Sequence, residues 1–172
     1  MKRFPFYRQP DTKDCGPACL KMIAKSYGRS VEIADLRIWS NTGRSGSSLE
    51  GICNAAEKIG FRTLCVKISL NDLMESAPLP CVCYWNEKHF IVVYKIDRKC
   101  IYVADPAYGL VKYSKRELLD YWIGKQANET TSEGICLLLE STPELQESDD
   151  KEITKTGLSF LLVFIGSKML LH

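Results

Sequence analysis

A cysteine stands at the predicted start of a helix, inside the stretch RQPDTKDCGPACLKMI. Cys15 follows a turn sequence and opens an apolar stripe with the i, i+3, i+4, i+7 spacing of a buried helix face. A helix N-terminus offers unpaired N–H groups and a positive dipole end, which favour a thiolate. The position therefore suits a covalent nucleophile, although a lone cysteine is more often a small apolar residue of a first helical turn.

The neighbours of Cys15 add to the catalytic interpretation. Gln9, six residues upstream, can direct its amide at an oxygen near the sulfur, and with the Cys15 N–H it would form an oxyanion hole. Alternatively, Gln9 only tethers the N-terminal segment. Gly16 is predicted to leave room for a substrate backbone, and Asp14 to cap the helix. Cys19, one turn deeper, is predicted to lie in the core.

A thiol nucleophile needs a base, and the sequence has two histidines, His89 and His172. His89 begins the strand HFIVVYKI, and Asp105 ends the next strand, IYVAD. Pairing these strands across the DRK turn, with paired residue numbers that sum to about 194–197, places Asp105 opposite His89 to within about one or two residues, where a carboxylate can hold the imidazole tautomer. The competing interpretations are a surface histidine and an aspartate that bonds its own turn in DPAYG. A thiol, a base and a carboxylate on a helix and a hairpin form the general layout of a papain-like site.

Periodicity predicts helices first and strands afterwards. Helical stripes follow Cys15 and cover 31–39 and 49–59, the last opened by the capping box Ser47–Glu50. Short runs rich in β-branched and aromatic residues come next, with one more helix in SKRELLDYW. This order predicts an α+β fold, with N-terminal helices packed on a C-terminal antiparallel sheet.

Composition excludes several other functions. The 172 residues carry a net charge of +2 with scattered basic side chains, so no nucleic-acid partner is predicted. Eight cysteines lie mostly in apolar runs, and no apolar signal segment opens the chain, which favours a reducing cytoplasmic compartment. There is no CxxC motif, and Cys81 and Cys83 are assigned to opposite faces of a strand. No metal or cofactor is therefore predicted.

The stretches RQPDTKDCGPACLKMIAKSYG, HFIVVYKI and VADPAYG resemble one known family. It is the double-glycine leader peptidase domain, a papain-like cysteine protease of bacteriocin-processing ABC transporters, and the resemblance covers about Phe6 to Glu140. It implies Cys15 as nucleophile, His89 as base, Asp105 as its orienter and Gln9 as the oxyanion donor, the roles already reached from the residues.

The resemblance also implies a substrate and partners. The expected reaction is cleavage after a Gly-Gly or Gly-Ala pair that ends a leader peptide, whose helix lies in a hydrophobic groove. The expected partners are the leader region of a precursor and the membrane and ATPase domains of a transporter, at the cytoplasmic face of the bacterial inner membrane. Two alternatives stay open: a module that binds peptides without cutting them, and a papain-like acyl or peptidyl transferase.

Three segments are predicted: a peptidase domain at 1–140, a polar linker at 141–157 and an apolar tail at 158–172. The tail is shorter than the roughly 20 apolar residues that span a bilayer and resembles the start of an elbow helix. No GxxxxGK[ST] phosphate loop occurs in the sequence. A fragment of a transporter and a stand-alone peptidase are both consistent with this pattern.

Overall fold

The computed structural model describes residues 3–86 and 88–146 and confirms the predicted α+β class. A 3-10 helix (Thr12–Asp14) leads directly into the first α-helix. The helices are α1 (Cys15–Ser26), α2 (Ile33–Trp39), α3 (Leu49–Ile59), α4 (Leu70–Glu75), α5 (Lys115–Trp122) and α6 (Pro143–Gln146). The strands are β1 (Phe61–Ser69), β2 (Cys81–Trp85), β3 (His89–Ile96), β4 (Ile101–Asp105), β5 (Gly109–Tyr113) and β6 (Glu133–Ser141).

The strands form one antiparallel sheet in the order β1-β6-β2-β3-β4-β5. Strands β2 to β5 follow one another as hairpin-connected neighbours, whereas β6 returns to lie between β1 and β2. The hairpin of β3 and β4 carries the predicted base and carboxylate, and α1 packs against β3. The sheet therefore brings the start of α1 and the open end of this hairpin together.

Side-chain alternation divides the interior into two cores, one on each face of the sheet. Helices α1, α2 and α3 cover one face, and α4 and α5 cover the other. Val82 points into the first core, while Cys81 and Cys83 both point into the second. The prediction of opposite faces for these two cysteines is wrong, because residues two apart on a strand share a face.

Those two thiols form a buried cluster with Cys136 of β6. Their three sulfur atoms lie within 4.8 Å of one another. Within the described part of the chain, no fourth histidine, cysteine or carboxylate joins the cluster. The surrounding side chains are apolar, so these cysteines pack as small hydrophobic residues.

Two helix boundaries refine the sequence-based predictions. Helix α3 is capped by Ser48, whose hydroxyl accepts from the Gly51 N–H at 3.0 Å, one residue later than predicted. The helix predicted in SKRELLDYW is confirmed as α5, and a capping box of Ser114 and Glu117 opens it.

The chain after β6 turns back onto the domain. Thr142 donates its backbone N–H to the Gly60 carbonyl at 3.1 Å, and Leu145 of α6 is buried in the first core. From residue 147 onward, the predicted linker and the predicted tail lie outside the described residues. A search of residues 3–86 and 88–146 finds no helix that is both long and apolar enough to cross a membrane.

Candidate active site

Cys15 is the first residue of α1, as the sequence predicts. The 3-10 helix (Thr12–Asp14) turns the chain immediately before it, so the first-turn N–H groups of α1 surround the thiol. Its side chain is 4% exposed, at the edge of the first core. Cys19, one turn deeper, is fully buried and donates its thiol to the Phe90 carbonyl at 3.3 Å, which confirms its predicted place in the core.

His89 and Asp105 meet at the open end of the β3–β4 hairpin. The His89 Nε2 lies 2.8 Å from Asp105 Oδ1, and the carboxylate is buried. The contact and the predicted range of registers are both confirmed. Val92 pairs with Ala104, a sum of 196, so Asp105 reaches His89 diagonally, from two residues along the same face.

Asp105 also holds the turn that follows it. Its Oδ1 accepts the Ala107 N–H at 2.8 Å, and the Asp105 carbonyl accepts the Tyr108 N–H at 3.1 Å. The same carboxylate thus makes both the predicted turn contact and the predicted contact with His89. Because the turn fixes the carboxylate, the imidazole ring is oriented by a rigid group.

The second nitrogen of His89 faces the thiol. Since Nε2 is occupied by Asp105, Nδ1 remains for the hydrogen bond with Cys15. Burial disfavours the imidazolium, but the hydrogen bonds and charges of Asp105 and Cys15 outweigh it and raise the pKa of His89 to about 9. An imidazolium is therefore favoured beside the Cys15 sulfur at neutral pH.

Gln9 is anchored beside this pair by its backbone. The Gln9 N–H donates to the Pro106 carbonyl at 2.9 Å, and the Arg8 Nη1 donates to the Ala107 carbonyl at 2.7 Å. The Gln9 Oε1 is buried and finds no hydrogen-bond partner among the residues that the structure describes. A half-turn of the amide exchanges Oε1 for Nε2, so the same position can present a donor to a substrate oxygen.

Known proteins resemble this chain in sequence and in fold. The model of the Peptidase C39 family matches residues 3–132. The chain belongs to the Peptidase C39 family. The predicted resemblance and the cysteine peptidase class are thereby confirmed.

Two C39 relatives are bacterial transport proteins. The colicin V secretion/processing ATP-binding protein CvaB of Escherichia coli is 32% identical over 72% of this chain and 18% of its own length. The lactococcin transport/processing ATP-binding protein LcnC-like of Lactococcus lactis is 33% identical over 98% of this chain and 23% of its own length. This chain thus spans about a fifth of the length of these relatives.

A solved C39 structure shares the fold. It is a double glycine motif protease from an AMS/PCAT transporter, in complex with the leader peptide. The TM-score is 0.72 at 27% sequence identity, and the match covers 81% of this chain and 93% of that chain. The papain-like peptidase fold is therefore confirmed.

The structure also shows contacts beside Cys15 that were not predicted from the sequence. In the described part of the chain the Asp14 carboxylate caps no N–H of α1, so the predicted capping role is wrong. It accepts instead from Arg37 of α2, at 2.7 Å from Nε and 2.5 Å from Nη2, and from the Asp11 N–H at 3.1 Å. Because the bidentate pair with Arg37 engages the Asp14 carboxylate, the N–H groups in the first turn of α1, including that of Cys15, remain for other acceptors.

Gly16 has a packing role that the sequence did not predict. A Cβ on Gly16 would lie 2.7 Å from the Ile52 Cδ1 and 3.4 Å from the Ser47 Cβ. The glycine therefore lets α3 lie directly behind the turn that carries Cys15, and the room that it leaves for a substrate backbone stays a prediction. Neither this contact nor Arg37 carries a local sequence signal, because both join elements that are distant along the chain.

Proposed function

We propose that this domain is an endopeptidase that removes double-glycine leaders from exported peptide precursors. The observation that carries the proposal is the contact of the His89 imidazole with the buried Asp105 carboxylate and with the Cys15 thiol. The names of the relatives join processing to transport, and the matched structure was solved with a leader peptide. The substrate is accordingly a leader with Gly-Gly or Gly-Ala before the scissile bond.

The reaction begins with the ion pair of Cys15 and His89. The thiolate attacks the carbonyl carbon of the second small residue, and the carbonyl oxygen becomes an oxyanion. The Cys15 N–H and the Gln9 amide donate to that oxygen. His89 then gives its proton to the leaving amine, and the C–N bond breaks to leave a thioester on Cys15.

Water completes the cycle. His89, now neutral, takes a proton from the water that attacks the thioester, and the thiolate leaves with the imidazolium restored. Asp105 keeps Nε2 of the ring engaged through both steps, so that Nδ1 stays directed at the sulfur. The products are the leader with a free carboxylate and the mature peptide with a free amine.

The partners of the proposed reaction follow from the same relatives. The domain works beside the membrane and ATPase domains of an ABC transporter, at the cytoplasmic face of the bacterial inner membrane. Cutting there releases the cargo from its leader at the point of export.

The test is digestion of a synthetic precursor with Gly-Gly at the junction, read by mass spectrometry. We expect one cut after the second glycine, and none in a matched precursor with valine there, because the proposed specificity is for small residues before the scissile bond. Cys15→Ala should abolish the cut and leave precursor binding intact. Binding without cutting by the unaltered chain would favour a binding module, and a cut by Cys15→Ala would exclude the proposed nucleophile.

A further inference from the structure

A second pair of thiols lies away from the active site, where α3 packs on β1. The Cys53 and Cys65 sulfurs are 3.0 Å apart, and the residues are separated by 12 positions. Cys65 is exposed and Cys53 is half-buried. The gap exceeds the length of a disulfide bond by about 1 Å, so a small side-chain rotation would close it.

We propose that Cys53 and Cys65 form a dithiol site for exchange with a low-molecular-weight disulfide of the glutathione class. Strand β1 is an edge of the sheet, so solvent reaches the Cys65 sulfur directly. The few disulfides that form in reducing compartments are usually transient, as exchange at this site would be. The site is independent of the peptidase reaction, because neither cysteine belongs to the array around Cys15.

The two thiols have different roles in the exchange reaction. The hydrogen bond from Cys53 lowers the pKa of Cys65, and it raises the pKa of Cys53. The Cys65 thiolate attacks one sulfur of glutathione disulfide, which releases one glutathione thiolate and leaves a mixed disulfide. The Cys53 thiol then displaces the second glutathione and gives up its proton. Two protein thiols are oxidised, and one glutathione disulfide is reduced to two thiols.

A second pair of neighbouring cysteines is an internal control for the effect of the sulfur–sulfur distance. Cys83 and Cys136, on paired strands, also have sulfurs 3.0 Å apart, but both are buried in the second core. If separation alone decided oxidation, both pairs would react. Because exchange requires attack on an external disulfide, accessibility selects Cys53 and Cys65.

Oxidation of Cys53 and Cys65 would also change the stability of the domain. The new bond closes a loop of about a dozen residues and ties α3 to the sheet edge. The cross-link restricts the conformations of the unfolded chain and should therefore raise the melting temperature of the domain by roughly 5–10 °C. Ile52, next to Cys53, packs behind Gly16, so the bond fixes the helix that supports the catalytic turn.

The experiment exposes the chain to graded ratios of glutathione disulfide to glutathione, followed by alkylation and trypsin digestion. It is run on Cys15→Ala, which removes the competing catalytic thiol, and repeated on the unaltered chain. We expect peptides 45–58 and 63–67 to become joined and lighter by two hydrogen atoms. In Cys53→Ser, Cys65 should stop at the glutathione mixed disulfide, because the resolving thiol is gone.

Three results would overturn the proposal. Both cysteines could stay fully alkylated at every ratio. A mixed disulfide could persist on Cys65 although Cys53 is present, which would show that the thiols do not meet. Peptides 68–88 and 126–151, which carry the buried pair, could cross-link as readily as the exposed pair. A melting temperature unchanged by formation of the bond would refute the tie between α3 and the sheet.

Discussion

Replacing Asp105 by asparagine isolates the charge of the buried carboxylate. The side chain keeps its size, and its oxygen can still accept the Ala107 N–H that fixes the turn. What disappears is the negative charge 2.8 Å from the His89 Nε2. The imidazolium then loses the partner that most directly stabilises it, while burial of the ring still disfavours its charge.

The size of the effect follows from the titration of His89. A pKa of about 9 against the ordinary 6.5 corresponds to about 3 kcal/mol of preference for the imidazolium. Asp105 shares this preference with Cys15, and solvent screens the partly exposed ring, so we assign about 1–1.5 kcal/mol to the carboxylate. We therefore expect the lost charge to lower kcat/KM about tenfold only at pH values near and above the pKa of His89, whereas at neutral pH Asp105→Asn should lower kcat/KM through looser orientation of the ring.

The pH profile gives the sign of the effect. In the unaltered chain the imidazolium persists below about pH 9, so activity falls as the pH rises through that value. Asp105→Asn should move this alkaline limb down by roughly one pH unit, toward the ordinary pKa of histidine.

The assay is kcat/KM against pH on a Gly-Gly precursor, with Asp97→Asn as the matched control. Asp97 holds the turn at the other end of the same hairpin by accepting the Lys99 and Cys100 N–H groups, at 2.9 and 2.8 Å. The control should keep the alkaline limb in place. If Asp105→Asn also keeps the limb and full activity, Asp105 serves only its turn, and the proposed pairing with His89 contributes nothing to catalysis.

Three further substitutions test the parts around the thiol. Gln9→Ala should lower kcat by about 10²–10³ with KM nearly unchanged, because an oxyanion donor acts in the transition state; a changed KM at constant kcat would make Gln9 a binding residue. Arg37→Met should cost about 2 kcal/mol of unfolding free energy in urea titrations, since Asp14 is left buried and unpaired, and Arg37→Lys should recover only part of it. Gly16→Ala should lower the free energy of unfolding by about 1–3 kcal/mol, because the added Cβ would clash with Ile52. The shorter side chain of Ile52→Val should relieve this clash in the double variant, and additive losses of stability would refute the contact.

The sequence contains enough local information to predict most elements of this fold. Helical stripes, turn residues and β-rich runs are short-range patterns, and the α1 start, the β3 start and the β4 end fall where they were predicted. The active-site residues were predictable for a related reason. Each of Cys15, His89 and Asp105 stands at the end of an element, where a side chain can reach across to another element.

The remaining features depend on contacts between distant segments. The register of β3 on β4 shifts by one residue at a bulge between Val93 and Lys95, which the alternation of side chains along the two strands does not mark. The ion pair of Asp14 with Arg37 joins residues 23 positions apart and has no local pattern. The order of the sheet, with β6 beside β1, likewise depends on tertiary packing.

The most direct test of the account is covalent capture of the nucleophile. A leader peptide whose second glycine carries a chloromethyl ketone, in place of the scissile amide, should alkylate one thiol per chain. We predict that fragmentation of the tryptic peptide 14–21 will place the adduct on Cys15 and not on Cys19, which lies in the same peptide, and that His89→Ala will slow the reaction strongly. Labelling of Cys19 or of a cysteine outside this peptide, or labelling that is equally fast without His89, would contradict the proposed catalytic array.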